Sequence, residues 1–129
     1  MFQVLIVEDE IMLAMELEDI LVNAGHDVVG VVHDLPGIEQ IACSPAVALV
    51  DVNLRDGPTG RAIAERLVRK CGTRVIFVTA NPAQIGAPPA GAVGYVQKPF
   101  SPEAILGAIR YAGGKDLPLP PALHLFKAN

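Results

Sequence analysis

The sequence predicts an α/β fold in which five parallel strands form one doubly wound sheet with helices on both sides. Three observations support this fold class. Five short runs rich in valine or isoleucine recur along the chain, and segments with the apolar period of an amphipathic helix separate most of them. Apolar residues make up 51% of the sequence and charged residues 19%, which suits a sheet that is buried on both faces. Strands that alternate with helices favour parallel pairing through right-handed crossovers.

The five apolar runs are the predicted strands. Each is short, continuously apolar and rich in valine or isoleucine, so we expect a strand whose two faces are both buried. The second strand is expected at the edge of the sheet. The runs lie at residues 4–7, 28–33, 46–50, 74–78 and 92–96.

Three helices are predicted from apolar stripes and from the residues that begin or end them. The stripes lie at residues 10–24, 59–71 and 102–112. Gly25 and Gly72 follow the first two stripes, and glycine commonly ends a helix. Ser101 is the predicted N-cap of the third helix, with Pro102 at its first position. Residues 35–43 predict a shorter helix.

Two segments do not fit a regular helix. Residues 81–94 contain three prolines and three glycines, so the fourth helix should be short or irregular, with at most one turn near residues 83–85. Residues 113–129 are predicted as a Pro-rich, frayed C-terminal tail that follows a domain over residues 1–112. Three apolar residues of the tail could instead dock on the domain or on a partner: Leu123, Leu125 and Phe126.

Charge and composition exclude several function classes. The formal net charge is −4 and there is no basic block, so direct nucleic-acid binding is not expected. The apolar N-terminal segment runs into acidic residues and is too short for a signal peptide or a membrane span, so we expect a cytoplasmic protein. Cys43 and Cys71 are not in CxxC spacing, so the sequence predicts neither a disulfide framework nor a zinc site. The three histidines are expected at the surface or an edge: His26, His33 and His124.

Polar residues at the carboxyl ends of the predicted strands indicate where the chemistry lies, because sites of open parallel sheets form at that edge. They are Glu8 and Asp9 after the first strand, Asp51 after the third, Thr79 after the fourth and Lys98 after the fifth. Three neighbouring carboxylates need a cation to stay ionised, and hard oxygen ligands favour magnesium. A carboxylate left free could act as a nucleophile towards a phosphoryl group. Thr79 and Lys98 could then bind the phosphoryl oxygens.

Four motifs give the sequence a family resemblance. They are VLIVEDE at residues 4–10, VDVN at residues 50–53, VTA at residues 78–80 and KPF at residues 98–100. Together, in this order and spacing, they resemble a response regulator receiver domain of two-component signalling, of the single-domain type. The resemblance covers residues 2–112 and implies the flavodoxin-like strand order 2-1-3-4-5.

The resemblance implies a role for each site residue. Asp51 matches the phospho-acceptor, and Mg²⁺ (or Mn²⁺) would bind Asp9, Asp51, the backbone carbonyl of Asn53 and, through water, Glu8. Thr79 and Lys98 match the residues that hold the phosphoryl group, Tyr95 matches the aromatic switch, and the Lys98–Pro99 bond is expected to be cis. For Tyr95, a half-buried aromatic that fills a gap is a competing interpretation. We also expect Asn53 and Asn81 to set the lifetime of the phosphorylated state.

The implied function is a phosphorelay switch. A histidine kinase or phosphotransfer protein would donate the phosphoryl group to Asp51, and an unknown downstream protein would respond. Such a domain assists its own phosphorylation and dephosphorylation but is not a turnover enzyme. Arg55 stands where many members have proline. No output domain follows residue 112, which suggests a stand-alone regulator, a phosphate shuttle or a fragment of a longer protein.

Three other functions compete with this interpretation. An aspartyl phosphohydrolase needs a second aspartate two residues after the nucleophile, where this chain has Asn53. A flavodoxin-like cofactor carrier needs a phosphate-binding loop after the first strand, where Glu8, Asp9 and Glu10 would repel an anion. The third alternative is a receiver-like interaction module that no longer becomes phosphorylated. Only a test of phosphorylation can distinguish it from an active receiver.

Overall fold

The chain forms one six-stranded sheet with helices on both faces. The computed structural model describes residues 2–39, 45–54, 59–114 and 118–126. The strands are β1 (Gln3–Val7), β2 (Asp27–Val32), β3 (Val47–Val50), β4 (Arg74–Thr79), β5 (Ala92–Gln97) and β6 (Leu123–Leu125). The helices are α1 (Ile11–Asn23), α2 (Leu35–Ile38), α3 (Gly60–Cys71) and α4 (Pro102–Ala112), and one 3₁₀ turn covers Pro82–Ile85.

The strand order is β2-β1-β3-β4-β5-β6. The first five strands pair in parallel, which confirms the predicted doubly wound class, the order 2-1-3-4-5 and the edge position of β2. The sixth strand pairs antiparallel to β5. The expectation of a frayed tail is therefore wrong for residues 123–125. Leu123 is only 3% exposed and joins the core, so burial of this side chain favours docking.

The core has two layers because alternate residues of a strand point to opposite faces of the sheet. On β1, Val4 and Ile6 pack in the layer that contains buried residues of α1 and α4. Leu5 and Val7 pack in the layer that contains buried residues of α3. Both faces of the central strands are thus covered, as the continuous apolar runs predicted.

The helix ends follow the local signals. Gly25 and Gly72, which follow α1 and α3, have φ values of 88° and 68°, a region that glycine enters at little cost. The Oγ of Ser101 accepts a hydrogen bond from the backbone N of Ala104 at 3.1 Å, which confirms the predicted N-cap of α4. The Oδ1 of Asp34 accepts one from Gly37 N at 3.0 Å and caps α2 in the same way.

The connection between β4 and β5 is irregular, as predicted. Its only helical part among the described residues is the 3₁₀ turn at Pro82–Ile85. The predicted helix over residues 35–43 is seen as α2, and residues 40–43 lie outside the described part of the chain. Within that part, no helix combines the length and the apolar character needed to cross a membrane.

Two single residues differ from their predictions. His26, predicted at the surface or an edge, directly precedes the edge strand β2 but is buried. Its Nδ1 accepts a hydrogen bond from Phe2 N at 3.1 Å, and its ring stacks on that of Phe2. Cys71, at the end of α3, is disulfide-bonded, although no disulfide was expected. Cys43 lies outside the described residues. Sequence spacing misses both features because each depends on which segments the fold brings together.

Candidate functional site

Three carboxylates meet at the carboxyl edge of the sheet. Val7 of β1 is paired with Val50 of β3. Glu8 and Asp51, which directly follow these strands, therefore lie next to each other at the edge of the sheet. Glu8, Asp9 and Asp51 each offer a carboxylate oxygen, and these oxygens lie within 4.8 Å of one another. The structure therefore brings together the three acidic residues that the sequence placed at two strand ends.

Lys98 joins this cluster from the end of β5. Its Nζ donates hydrogen bonds to Oε1 of Glu8 at 3.0 Å and to Oδ2 of Asp51 at 3.1 Å. Its backbone N donates to the carbonyl O of Thr79 at 2.9 Å, which fixes the ends of β4 and β5 to each other. The Lys98–Pro99 peptide bond is cis, as the resemblance implied.

Burial and charge shift the pKa values of two of these groups. Burial raises the pKa of Glu8 to about 7, and the negative charge of Asp51 adds to this while the hydrogen bond from Lys98 opposes it. Burial alone would lower the pKa of Lys98, but the hydrogen bonds and charges of Glu8 and Asp51 outweigh it and raise that pKa. The ammonium thus stays charged, and it forms hydrogen bonds with two of the three carboxylates, those of Glu8 and Asp51.

The acidic cluster fits a divalent cation of the magnesium type. Its donors are carboxylate oxygens, which Mg²⁺ and Mn²⁺ prefer, and no histidine or cysteine belongs to the cluster among the described residues. A dipositive ion would also offset the negative charge of the carboxylates that the single Lys98 ammonium does not neutralise. Asn53 lies beside the cluster, because its backbone N donates to Oδ1 of Asp51 at 3.1 Å. The predicted role of its carbonyl as a metal ligand stays a prediction.

Thr79 lies at the end of β4, between β3 and β5. Its side chain is 1% exposed, and its Oγ1 accepts a hydrogen bond from Asn81 N at 3.1 Å. Because a hydroxyl can donate as well as accept, its hydrogen remains available for a phosphoryl oxygen. Asn81 follows at the exposed rim of the site. The roles of both residues stay predictions.

Tyr95 lies on β5, away from the carboxylates. Its half-buried ring stacks on His124 with centroids 4.8 Å apart, and it also packs against Phe126 at 6.0 Å. The described ring partners of Tyr95 therefore come from the C-terminal segment. The switch role and the gap-filling interpretation both remain open.

Gln84 is a site residue that sequence reasoning missed. It lies on the 3₁₀ turn, and its Oε1 accepts a hydrogen bond from Nδ2 of Asn53. The contact joins the loop after β3 to the connection after β4. No sequence signal marks it, because the irregular connection has no period from which a side-chain direction can be read.

Gly60 and His33 also support the site without having been predicted to do so. A Cβ on Gly60 would lie 1.9 Å from the backbone O of Asp51, so only glycine lets α3 begin this close to Asp51. The Nδ1 of His33 lies 3.0 Å from the backbone O of Glu8, which accepts its hydrogen bond. Gly60 could have been found as a glycine at a helix start. Residues 55–58, which include Arg55, lie outside the described part.

Comparison with known proteins agrees with this geometry. The model of the response regulator receiver domain family matches residues 4–110. The chain belongs to this family. Over 115 residues the receiver is 34% identical to the Phyllosphere-induced regulator PhyR of Methylorubrum extorquens, a match that covers 85% of this chain and 43% of that protein.

Solved structures show the same receiver fold. The solution structure of the PhyR receiver domain from Erythrobacter litoralis superimposes with a TM-score of 0.77 at 30% identity, covering 91% of this chain and 94% of that one. The crystal structure of the anti-anti-sigma factor PhyR from Bartonella quintana gives a TM-score of 0.71 at 28% identity, over 87% of this chain and 46% of that one. The receiver described here thus spans less than half the length of these two PhyR proteins, the Methylorubrum and Bartonella ones.

Proposed function

We propose that this receiver domain takes a phosphoryl group from the phosphohistidine of a kinase or phosphotransfer protein onto Asp51, and that the change switches binding to a downstream protein. The observation that carries the proposal is the position of the Asp51 carboxylate. It lies within 3.1 Å of the Lys98 ammonium and in the same acidic cluster as Glu8 and Asp9. This arrangement supplies a nucleophile, a cationic partner and a set of metal ligands together.

The transfer step exchanges one phosphorus bond for another. A carboxylate oxygen of Asp51 attacks the phosphorus, the new O–P bond forms, and the N–P bond breaks with its electron pair returning to the donor imidazole. Bound Mg²⁺, held by Asp9, Asp51, the backbone carbonyl of Asn53 and, through water, Glu8, would neutralise charge on the transferred group. Lys98 and Thr79 then bind phosphoryl oxygens through the ammonium and the hydroxyl. Turnover of a separate substrate is no part of this function.

Loss of the phosphoryl group is a reaction with water, and two asparagines stand where that water would arrive. Asn53 and Asn81 are exposed and follow Asp51 and Thr79 by two residues each. We propose that their side chains set the lifetime of the acyl phosphate. The decay rate of Asn53→Ala and Asn81→Ala, followed by intact mass after removal of the donor, tests this. Unchanged decay in both variants would contradict it.

The partner is proposed only as a protein. The Bartonella relative is named an anti-anti-sigma factor, but the shared region covers less than half of that chain. We therefore propose only that this domain is phosphorylated on Asp51 and that a downstream protein responds to the phosphorylated form.

The experiment combines the protein with Mg²⁺ and acetyl phosphate and measures intact mass. We expect a gain of one phosphoryl group that disappears when Mg²⁺ is omitted and in Asp51→Asn. Circular dichroism shows whether that variant is folded. No gain, with beryllofluoride also failing to bind, would instead favour the silent interaction module. A gain that persists in Asp51→Asn would place the acceptor elsewhere.

A further inference from the structure

The C-terminal segment covers the outer edge of β5. In β6, Leu125 is paired with Gly94, His124 with Tyr95 and Leu123 with Val96. The following residue, Phe126, donates its backbone N–H to the carbonyl of Val93 at 3.1 Å. The segment therefore pairs with backbone N–H and C=O groups of β5 that would otherwise be exposed to solvent.

Two glycines make room for this segment. A Cβ on Gly94 would lie 2.3 Å from the backbone O of His124, and one on Gly107 would lie 2.9 Å from Cγ of Pro120. Glycine inside a strand or helix destabilises it by roughly 0.5–1 kcal/mol relative to alanine. The close approach of the C-terminal segment accounts for glycine at both positions, so this part of the surface is shaped to receive it.

The segment binds through both of its faces. Leu123 is buried among core residues on the side of α4. On the other side, the ring of His124 stacks on Tyr95 at an interplanar angle of 17°, and Phe126 packs edge-on against Phe77 of β4 at 6.2 Å. Tyr95 thus contacts the segment through both its backbone and its ring.

Lys98, which the proposed function assigns to binding the phosphoryl group, directly follows β5. Lys98 lies three residues beyond Tyr95, and its Nζ bonds Glu8 and Asp51. A phosphoryl group on Asp51 would take the Lys98 ammonium from Glu8 and bind the Thr79 hydroxyl, and so would draw the end of β4 towards Asp51. The hydrogen bond from Lys98 N to Thr79 O would carry the end of β5 with it. The edge of β5 that faces away from β4 pairs with only the three residues of β6, so few backbone hydrogen bonds must break to release this strand.

We propose that β6 is a detachable cover of the β5 edge, docked when Asp51 is unmodified and released when Asp51 is phosphorylated. The inference rests on the proposed function, because phosphorylation is the signal that releases the cover. Tyr95 couples the two positions. The coupling is reciprocal, so a receiver whose cover is already released holds the phosphoryl group more favourably.

The test measures hydrogen exchange of the full-length protein with and without acetyl phosphate and Mg²⁺. We expect exchange at residues 123–126 to rise at least tenfold on phosphorylation, while β1 and β3 stay protected. Intact mass of the same sample reports the extent of phosphorylation. Full phosphorylation with unchanged exchange overturns the cover alone, whereas absence of the phosphoryl group overturns the proposed function and the cover together.

Variants test the reciprocal direction. His124→Ala removes the ring contact with Tyr95, and Gly94→Val places a side chain against the His124 backbone, so both should release β6 without phosphorylation. Leu119→Ala, an exposed position in the same segment, is the matched control. We expect beryllofluoride to bind at least threefold more tightly, in the presence of Mg²⁺, to the two release variants than to the control. An affinity equal to that of the control, in a variant that exchange shows to be released, would overturn the coupling.

Discussion

The Nζ of Lys98 lies 3.0 Å from Oε1 of Glu8, although 90 positions separate the two residues along the chain. Glu8 is 2% exposed and the lysine side chain 15% exposed, so this ion pair is largely removed from water. The ammonium also bonds Asp51 and therefore keeps two buried carboxylates from repelling each other. We therefore expect the stability of the metal-free protein to depend on this lysine.

Replacing Lys98 by methionine tests that dependence. Loss of one partner from a buried ion pair costs about 3 kcal/mol or more, so we expect Lys98→Met to lower the unfolding free energy of the metal-free protein by about that much. Mg²⁺ should restore most of the loss, because the dication can replace the ammonium. Urea denaturation with and without Mg²⁺ measures both effects. Arg74→Met, an exposed change at the opposite end of β4, should show neither.

The raised pKa of Glu8 predicts how stability changes with pH. Its pKa is about 7 in the folded protein against 4.5 in a free side chain, so the folded state binds more protons between these values. Stability must therefore fall as pH rises through this interval, by up to roughly 3 kcal/mol at about 1.4 kcal/mol per pKa unit. Urea denaturation of the metal-free protein at pH 5, 6, 7 and 8 measures the decline.

Glu8→Gln is the matched variant for this pH series. It lacks the titrating group, so its stability should fall less than that of the unmodified chain between pH 5 and 8. The difference between the two curves removes contributions from other groups, including His26. Parallel curves would contradict the assignment of the pH dependence to Glu8.

The contact between Gly60 and Asp51 predicts that a substitution at Gly60 slows phosphorylation, whereas a substitution elsewhere on α3 lowers stability without slowing it. In Gly60→Ala the new Cβ would meet the backbone O of Asp51 at 1.9 Å, so Asp51, the proposed phospho-acceptor, must move. We expect acetyl phosphate to modify this variant at least tenfold more slowly. Ala62→Gly, an exposed change on the same helix, costs about 1 kcal/mol of helix propensity but should be modified at the normal rate. Equal rates in the two variants would show that Asp51 tolerates the displacement.

Gln84 predicts an effect on the phosphorylated state. In Gln84→Ala the Asn53 side chain loses its hydrogen-bond acceptor and no longer has a fixed position beside Asp51. We expect the acyl phosphate to decay two- to fivefold faster, because water reaches Asp51 more easily. Intact mass after removal of the donor measures the decay. Gln3→Ala, an exposed change at the far end of β1, is the control, and a Gln84→Ala decay equal to it would contradict the prediction.

Features that depend on the apolar period of the elements and on the order of the strands could be predicted from the sequence. Glu8, Asp51 and Lys98 could be placed together because parallel strands bring their carboxyl ends to one edge of the sheet. Gly25 and Ser101 could be assigned because helix ends have local signals.

Other features depend on contacts between distant segments, which leave no local pattern. The three residues of β6 are too few to show alternation and follow two prolines, so the sequence predicts a frayed tail there. His26 is buried because Phe2 covers it. Gln84 reaches Asn53 from a connection without regular structure.

The docked C-terminal strand also affects how the protein behaves at high concentration. An open edge of a sheet presents unpaired N–H and C=O groups that can template pairing with other molecules and start aggregation. With β6 in place, the outermost strand on this side is three residues long and follows Pro120 and Pro121, and proline cannot donate to a growing ladder. Its docking therefore gives the sheet a poor template for fibre-like growth at this edge.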